Sequence, residues 1–264
     1  MGRVNSAAAL HSKATELLRL HTDPALLVVV NVWDVVSATV VAAQPGCRAI
    51  ATASHSIAAT LGYPDNEHIP VDLMIDMVGR IAAAVELPVT ADLEAGYGDP
   101  GETMRKAIGA GVVGANLEDR MRPLPEAVAA VTAAVRAGSA EGVPFVLNAR
   151  TDALLRGGDR PRADVLADAI ERGRAFLDAG AACVFVPGLL DEPTVAALVD
   201  GIGERRVSVI NVPGSLPQDR LAELGVARVS FGPWVQRAAL TGLAGLAGEL
   251  LAGGALPAGV QVLN

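Results

Sequence analysis

The sequence predicts an α/β protein of the (β/α)8 TIM-barrel type, in which eight parallel strands close into a barrel surrounded by helices. Three observations support this fold class. Eight short segments rich in β-branched residues alternate with longer alanine-rich segments along 264 residues. The short segments are almost continuously apolar, as expected for strands that are buried on both faces. Eight units in 264 residues leave about 33 residues for each strand, helix and pair of loops.

The predicted elements follow one another in a regular order. The eight strands are predicted over Leu27–Asn31, Arg48–Ala53, Pro88–Asp92, Gly114–Glu118, Phe145–Ala149, Ala182–Val186, Val207–Asn211 and Arg228–Phe231. The clearest helices are predicted over Val71–Val85, Pro125–Ala137 and Ala163–Ala179. Four glycines stand where a left-handed residue commonly ends a helix, namely Gly46, Gly111, Gly180 and Gly225. The repeated unit favours one barrel domain over residues 1–264, and an open doubly wound sheet is the alternative.

Composition and charge exclude several functional classes. The net charge of −8 and the absence of a basic stripe argue against a nucleic-acid partner. Glu249, Gly253 and Gly254 interrupt the apolar C-terminal region, so no membrane association is expected. No signal-peptide pattern is visible, and we expect a cytoplasmic protein. Cys47 and Cys183 lie in apolar segments and are interpreted as core residues rather than as a disulfide framework.

A glycine motif and the rarity of lysine remove two further interpretations. Gly109 to Gly114 matches G-x-G-x-x-G, but the segment closes a helix and opens a strand, the reverse of a dinucleotide-binding turn. Lys13 and Lys106 are the only lysines, and neither follows a predicted strand, so a Schiff-base mechanism is disfavoured. Three histidines show no metal-ligand spacing and are predicted to lie on the surface: His11, His21 and His68.

Polar residues are concentrated at the carboxyl ends of the apolar strands, where catalytic residues of this fold lie. Asp92 and Glu94 are two residues apart, so an extended backbone directs them to the same side, and Glu118 ends the next strand. Three clustered carboxylates repel one another unless a cation is present, and hard oxygen ligands suit Mg²⁺ or Mn²⁺. The sequence therefore predicts a metal site at Asp92, Glu94 and Glu118, with solvated turn residues as the alternative.

Two basic residues at strand ends are candidates for contact with a substrate. Arg150 carries a planar guanidinium group that can bind a carboxylate or a phosphate. Its alternative role is an ion pair with Asp152 or with one of the predicted metal-site acids. His55 follows the second predicted strand and can act as a base or as a substrate contact, and a packed histidine fits the sequence equally well.

Five motifs, taken together and in order, resemble the isocitrate lyase/phosphoenolpyruvate mutase superfamily. They are Asn31-Val-Trp33-Asp34, Leu61-Gly-Tyr-Pro-Asp65, Asp92-Leu-Glu94-Ala-Gly-Tyr-Gly98, Asn116-Leu-Glu-Asp119 and Asn148-Ala-Arg150-Thr-Asp152. The resemblance extends over about residues 20–235. It implies a (β/α)8 barrel whose C-terminal helix, about 233–252, is swapped between the subunits of a dimer, commonly within a dimer of dimers. It also implies that the protein binds Mg²⁺ and a small α-oxo acid.

The resemblance further implies roles for individual residues. Asp92 corresponds to the principal metal ligand, and Glu94 and Glu118 correspond to the acids that hold its waters. Asp65 matches a loop aspartate near the reacting centre, so the implied catalytic residues are Asp65, Arg150 and His55. The substrate contacts implied by the resemblance are Trp33, Ser54, His55, Arg150 and Asn211, and Arg150 would contact the substrate carboxylate.

The chain departs from the superfamily in two loops. After strand four the lyases carry Lys-Lys-Cys-Gly-His or a close variant, whereas this chain has Asp119-Arg-Met-Arg-Pro-Leu-Pro125. The Lys/Asn-bearing loop of the mutases is also absent, and Pro187-Gly188 follows strand six, where several lyases place a carboxylate or a histidine. The resemblance thus implies a divergent Mg²⁺-dependent lyase that cleaves a C–C bond next to an α-oxo carboxylate through a metal-stabilised enolate. The alternatives are a P–C bond mutase or hydrolase and a non-catalytic binder of α-oxo acids.

Overall fold

The computed structural model describes residues 7–263 and contains a parallel sheet of nine strands. The strands are β1 (Leu27–Val28), β2 (Asn31–Val32), β3 (Ile50–Thr52), β4 (Val89–Asp92), β5 (Gly114–Glu118), β6 (Val146–Arg150), β7 (Cys183–Val186), β8 (Val207–Ile210) and β9 (Arg228–Ser230). β1 and β2 are two parts of the first predicted strand. β1 pairs with β9 and β2 pairs with β3, so together they close the sheet into a barrel. The predicted fold class is confirmed.

Helices alternate with the strands around the outside of the barrel. They are α1 (Ala7–Thr22), α2 (Val35–Ala42), α3 (Ser54–Thr60), α4 (Val71–Ala84), α5 (Pro100–Gly109), α6 (Leu124–Ala140), α7 (Arg162–Asp178), α8 (Glu192–Ile202), α9 (Gln218–Glu223) and α10 (Trp234–Leu251). α6 continues past its predicted end through Gly138, where a side chain would overlap with Phe145. A glycine is therefore required there for close packing of the helix on the following strand.

Glycines end the helices as the sequence predicts. Gly111 follows α5 with φ +102°, and Gly180 follows α7 with φ +101°. Both lie in the left-handed region, which glycine adopts without steric cost. α5 ends at Gly109 and β5 begins at Gly114, so the G-x-G-x-x-G segment does close a helix and open a strand.

α1 covers the amino end of the barrel. Its apolar residues Leu10, Leu17 and Leu20 are buried against residues near the starts of strands, including Leu27 and Val113. Since this end is filled by side chains, a ligand must reach the barrel from the opposite end, where the strands finish.

The packing of α1 also corrects one prediction. His21 is 1% exposed rather than on the surface, because α1 packs against the barrel, while His11 and His68 are exposed as predicted. Its Nδ1 lies 2.8 Å from the carbonyl oxygen of Leu17. Burial, together with the positive charge of Arg228, lowers the pKa of His21 to about 3, so this imidazole is neutral. Cys183 is buried and Cys47 is half-buried, and neither forms a disulfide.

α10 differs from the other long helices because most of its surface is exposed. Gln236 is its one buried residue, and its side chain donates to the Ser56 carbonyl oxygen at 3.1 Å and to Thr60 Oγ1 at 3.0 Å. Leu240 and Leu243 are 54% and 61% exposed. Exchange of this helix between subunits stays a prediction. Within residues 7–263, no helix has the length and apolar character needed to cross a membrane.

Candidate active site

A cavity of about 290 Å³ opens at the carboxyl ends of the strands. Five of the predicted site residues line it, and they come from loops or strand ends that are far apart in sequence: Ser54, His55, Asp65, Asp92 and Arg150. The parallel register accounts for this convergence, because it brings the ends of β3, β4, β5 and β6 to one edge of the barrel. The volume is at the lower limit of ligand pockets and suits a small substrate.

Asp92 is held in place by the neighbouring strand and by the start of α3. The backbone N–H and the hydroxyl group of Ser54 donate to Asp92 Oδ2 at 3.2 and 2.8 Å. The Asp92 amide donates to Thr52 Oγ1 at 3.0 Å. Its other carboxylate oxygen accepts no hydrogen bond within residues 7–263. One oxygen is thus fixed by the protein, and the second is available to a ligand.

Glu94 lies beneath the cavity in an environment that favours its neutral form. It is 4% exposed, with φ +51° in the left-handed region. Its carboxylate accepts from Tyr97 OH at 3.3 Å and contacts Arg120 Nη2 at 3.5 Å. Burial raises the pKa of Glu94 to about 8, and the negative charges of Asp92, Asp65 and Glu118 contribute.

Glu118 is bound by two arginines. It is 7% exposed, and its oxygens accept from Arg120 Nε at 2.8 Å and pair with Arg150 Nη1 at 2.9 Å. Burial raises the pKa of Glu118 above its usual range, although both arginines oppose this effect. Arg150 also donates to Asp152 Oδ1 at 2.7 Å and still lines the cavity. Both roles considered for Arg150, ion pair and cavity contact, are therefore compatible.

Arg120 and Glu67 belong to this acidic region, although the sequence interpretation did not include them. The Arg120 guanidinium group contacts three carboxylates, two from loops and one from the end of β5: Glu67 at 3.1 Å, Glu94 at 3.5 Å and Glu118 at 2.8 Å. Glu67 in turn accepts from the backbone N–H groups of Ala95 at 3.1 Å and Tyr97 at 2.7 Å. The sequence did contain an indication of Arg120, because this basic residue directly follows the Glu118-Asp119 pair. It lies in the segment where the lyase motif is missing.

The three predicted metal-site acids differ in their position relative to the cavity. Asp92 lines the cavity, whereas Glu94 and Glu118 are buried beside it and are held by arginines. Within residues 7–263, no group of three or more acidic, histidine or cysteine side chains is arranged to hold a metal directly. The donor set fits an ion held directly by Asp92 with the two glutamates acting through water molecules. This is the arrangement that the resemblance implies.

Two predicted substrate contacts lie outside the cavity lining. Trp33 is half-buried and packs against the core around α2 and α4. The Asn211 side chain donates to the Leu216 carbonyl oxygen at 3.1 Å. His55 and Asp65 do line the cavity, and His55 Nδ1 is buried without a hydrogen-bond partner among the described residues. Asn31, from the same motif as Trp33, binds the backbone N–H groups of Phe231 and Gly232 at the barrel closure.

The opposite side of the cavity is mainly apolar, and Ser230 of β9 is the one polar side chain among its described lining residues. We define the apolar wall as the side chains that line it from the regions of β6 to β9: Leu155, Phe185, Leu189, Ile210, Val212 and Pro233. The sequence interpretation did not identify this wall, because its members come from several loops and none carries a recognisable motif.

Comparison with known proteins adds independent information. Residues 17–251 match the family model described as phosphoenolpyruvate phosphomutase. The uncharacterized protein Rv1998c of Mycobacterium tuberculosis (strain ATCC 25618 / H37Rv) is 32% identical over 245 residues, which cover 91% of each chain. The 2-methylisocitrate lyase of Escherichia coli (strain K12) is 29% identical over 208 residues, covering 72% of this chain and 67% of that enzyme.

The similar solved structures include proteins whose names describe the same kinds of enzyme as the names of the sequence relatives. A protein from Burkholderia cenocepacia J2315, provisionally named a phosphonomutase, superposes with a TM-score of 0.84 and 38% identity, covering 90% of this chain and 98% of that one. Enzymes named oxaloacetate decarboxylase and oxaloacetate acetylhydrolase are also among the similar proteins.

Proposed function

The chain belongs to the phosphoenolpyruvate phosphomutase family, and we propose that it cleaves a carbon–carbon bond next to an α-oxo carboxylate. Its membership confirms the resemblance predicted from the five motifs. Its relatives are lyases, decarboxylases and mutases, which confirms that the chain is an enzyme of this superfamily. The observation that carries the proposal is the convergence of Asp92, Arg150, His55 and Asp65 on one small cavity.

Arg150 is the proposed contact of the substrate carboxylate. Two of its nitrogens are used by Glu118 and Asp152, and these bonds fix the plane of the guanidinium group. Nη2 donates to no described residue, so it is available to a bound anion. A guanidinium group held in this way is well suited to orient a planar carboxylate.

Asp92 is the proposed direct ligand of Mg²⁺ or Mn²⁺, and Glu94 and Glu118 are proposed to hold the waters of that ion. Two structural features support this proposal: the unengaged Asp92 oxygen and the raised pKa values of both buried glutamates, which a nearby cation would lower. When bound, the ion supplies Lewis-acid stabilisation of the negative charge that develops on the oxo-acid oxygen.

Asp65 and His55 are the proposed proton-transfer residues. Both line the cavity, and both are titratable groups of types that commonly act as general acids or bases. They would serve in place of the cysteine that the lyases carry after strand four, where this chain has Asp119–Pro125. His55 Nδ1 has no partner among the described residues, so protein contacts do not fix its tautomer.

A coupled assay tests this function. Wild-type protein with Mg²⁺ is incubated with oxaloacetate and with 4-hydroxy-2-oxo acids, and pyruvate is detected with lactate dehydrogenase. We expect pyruvate release that is lost with EDTA and restored by Mg²⁺ or Mn²⁺. The control variant is Asp76→Asn, because Asp76 lies on the outer surface in an ion pair with Arg80. No pyruvate from any of these compounds would contradict the proposal.

A second function is P–C bond chemistry on a phosphonopyruvate-like substrate. The description of the family and the provisional name of the Burkholderia cenocepacia relative favour it. Phosphate release from phosphonopyruvate, or its interconversion with phosphoenolpyruvate, would support this alternative. The third function considered from the sequence, a non-catalytic binder of α-oxo acids, is disfavoured because the named relatives are enzymes.

The working form is proposed to be a cytoplasmic homo-oligomer, a dimer of dimers in which α10 is exchanged between subunits. The exposed leucines Leu240, Leu243 and Leu251 support this proposal, because a helix with so much uncovered apolar surface is suited to pack on another subunit.

A further inference from the structure

We infer that the group on the departing side of the cleaved bond is uncharged and apolar in the bound substrate. The substrates are then 4-hydroxy-2-oxo carboxylates with a short, branched alkyl group on C4, and the products are pyruvate and an aliphatic aldehyde. This inference rests on the proposed function, because it names the substrate class of the same cavity.

The first argument comes from the apolar wall. Its six side chains carry no hydrogen-bonding group, and they face the cavity from the side of the barrel away from the acid-rich region. An alkyl group buried against them is favoured because its surface is removed from water. A carboxylate or phosphonate in the same position would lose most of its hydration, and the Ser230 hydroxyl group is the one side-chain donor on this side of the described lining that could replace it.

The second argument comes from the charges that line the cavity. Among the described lining residues, Asp65 and Asp92 are acidic, and Arg150 is the one arginine or lysine. Arg150 is already paired with Glu118 and Asp152, so its remaining nitrogen, Nη2, can contact one substrate carboxylate and no second anionic group. A departing succinate-like or phosphonate group would require a further basic residue, and no other arginine or lysine lines the cavity among the residues described.

The reaction balances without a further reactant. A base removes the proton of the C4 hydroxyl group, and the O–H electron pair forms the aldehyde carbonyl. The C3–C4 bond then breaks, and its electron pair forms the C2–C3 double bond of the pyruvate enolate. A proton returns to C3 and gives pyruvate. His55 and Asp65 are the groups of this chain that can hold and return the proton.

The first experiment compares two isosteric substrates in the Mg²⁺-loaded wild-type protein. 4-Hydroxy-5-methyl-2-oxohexanoate carries an isopropyl group where 4-hydroxy-2-oxoglutarate carries a carboxylate. Pyruvate release from both is measured with lactate dehydrogenase, and oxaloacetate serves as a third substrate. We expect kcat/KM for the isopropyl compound to exceed both others by at least about tenfold.

The second experiment measures binding without turnover. The matched ligands are 5-methyl-2-oxohexanoate and 2-oxoglutarate, and their affinities are compared by calorimetry in the presence of Mg²⁺. We expect the apolar ligand to bind at least about tenfold more tightly. Leu189→Arg places a cation on the apolar wall at a residue that is 62% exposed, so the fold should tolerate it. This variant should shift the affinity ratio toward 2-oxoglutarate, whereas Leu18→Arg on α1 should not.

The outcomes separate the two proposals. Equal or faster cleavage of 4-hydroxy-2-oxoglutarate or oxaloacetate, or equal or tighter binding of 2-oxoglutarate, would overturn the apolar-fragment inference and leave the proposed function standing. An unchanged affinity ratio in a folded Leu189→Arg protein would also overturn it. If none of the three substrates releases pyruvate, the proposed function fails and the inference fails with it.

Discussion

The two sides of the barrel mouth are built in different ways. The acid-rich side, from β3 to β6, is joined by charged contacts: Arg120 connects Glu67, Glu94 and Glu118, and Arg150 connects Glu118 with Asp152. The opposite side, from the loop after β6 to the end of β9, presents the apolar wall and is held by packing. Under the proposed function, the acid-rich side would fix the reacting groups and the apolar wall would select the departing fragment.

Substitution of Asp92 should have the largest effect on activity. It tests most directly whether the acid-rich side carries the reacting groups. In Asp92→Ala we expect kcat to fall by about 10²–10³-fold, because the proposed ligand of the ion that would stabilise the reacting oxygen is lost. The coupled pyruvate assay measures this loss, and circular dichroism checks that the fold remains. Val212→Ala on the apolar wall is the matched variant, and it should mainly raise KM. If Asp92→Ala and Val212→Ala reduced kcat equally, this result would contradict different functions for the two sides of the mouth.

Arg150 should affect stability as well as binding. Arg150→Met leaves Asp152, whose side chain is 0% exposed, with only the more exposed Arg156 as a cation, and it leaves Glu118 with Arg120. We expect a loss of about 3 kcal/mol in the free energy of unfolding and a KM raised by about tenfold or more. Urea denaturation and substrate titration measure these changes. Arg80→Met, at an exposed ion pair, should change neither by a comparable amount. A stability loss as large in Arg80→Met would show that burial is not the cause.

The acid-rich side was largely predictable from the sequence, whereas the apolar wall was not. Asp92 and Glu118 end apolar strands, and the barrel register alone brings such ends together. The contacts of Arg120 with the three glutamates were not predictable. Both Glu67 and Arg120 have left-handed backbone conformations, and the sequence gives no indication of this conformation at non-glycine residues. The wall side chain of Phe185 lies inside an ordinary strand, and Leu189 and Val212 lie in loops without a motif. The burial of His21 was missed for a similar reason, since it depends on where α1 packs.

The raised pKa of Glu94 predicts how pH affects the metal-free protein. In the folded state its pKa is about 8, above the ordinary value of 4.5, so the folded protein binds a proton that the unfolded chain releases. The contribution of Glu94 to the free energy of unfolding should therefore fall as pH rises from about 5 to 8, while the lowered pKa of His21 acts in the opposite direction up to about pH 6.5. Urea denaturation in EDTA at both pH values measures this fall. Burial of Glu118 contributes in the same direction.

Two changes should reduce this pH dependence. Glu94→Gln removes the titrating group, and Mg²⁺ should stabilise the ionised carboxylates at pH 8. Glu102→Gln is the control, because Arg105 lowers the pKa of this exposed carboxyl group, which is therefore ionised in both states between pH 5 and 8 and should leave the pH dependence unchanged. If the pH dependence of stability in EDTA is the same in wild type and in Glu94→Gln, the pKa of Glu94 is not raised in the folded protein, because the contribution of His21 is common to both.

α10 begins beside Pro233 of the apolar wall. Substitutions on the exposed face of this helix should have the smallest effect on the fold of the barrel. A double substitution, Leu240→Glu with Leu243→Glu, adds charge to side chains that are 54% and 61% exposed within one subunit. Because neither leucine packs in the core, circular dichroism of the folded barrel should change little. If α10 is exchanged between subunits, light scattering should show a lower molar mass, since the charges would be buried at the interface. Leu73→Glu, at an exposed leucine of α4, is the matched control. An unchanged molar mass in the double variant would place α10 outside the subunit interface, and the apolar side of the mouth would then be completed by one chain alone.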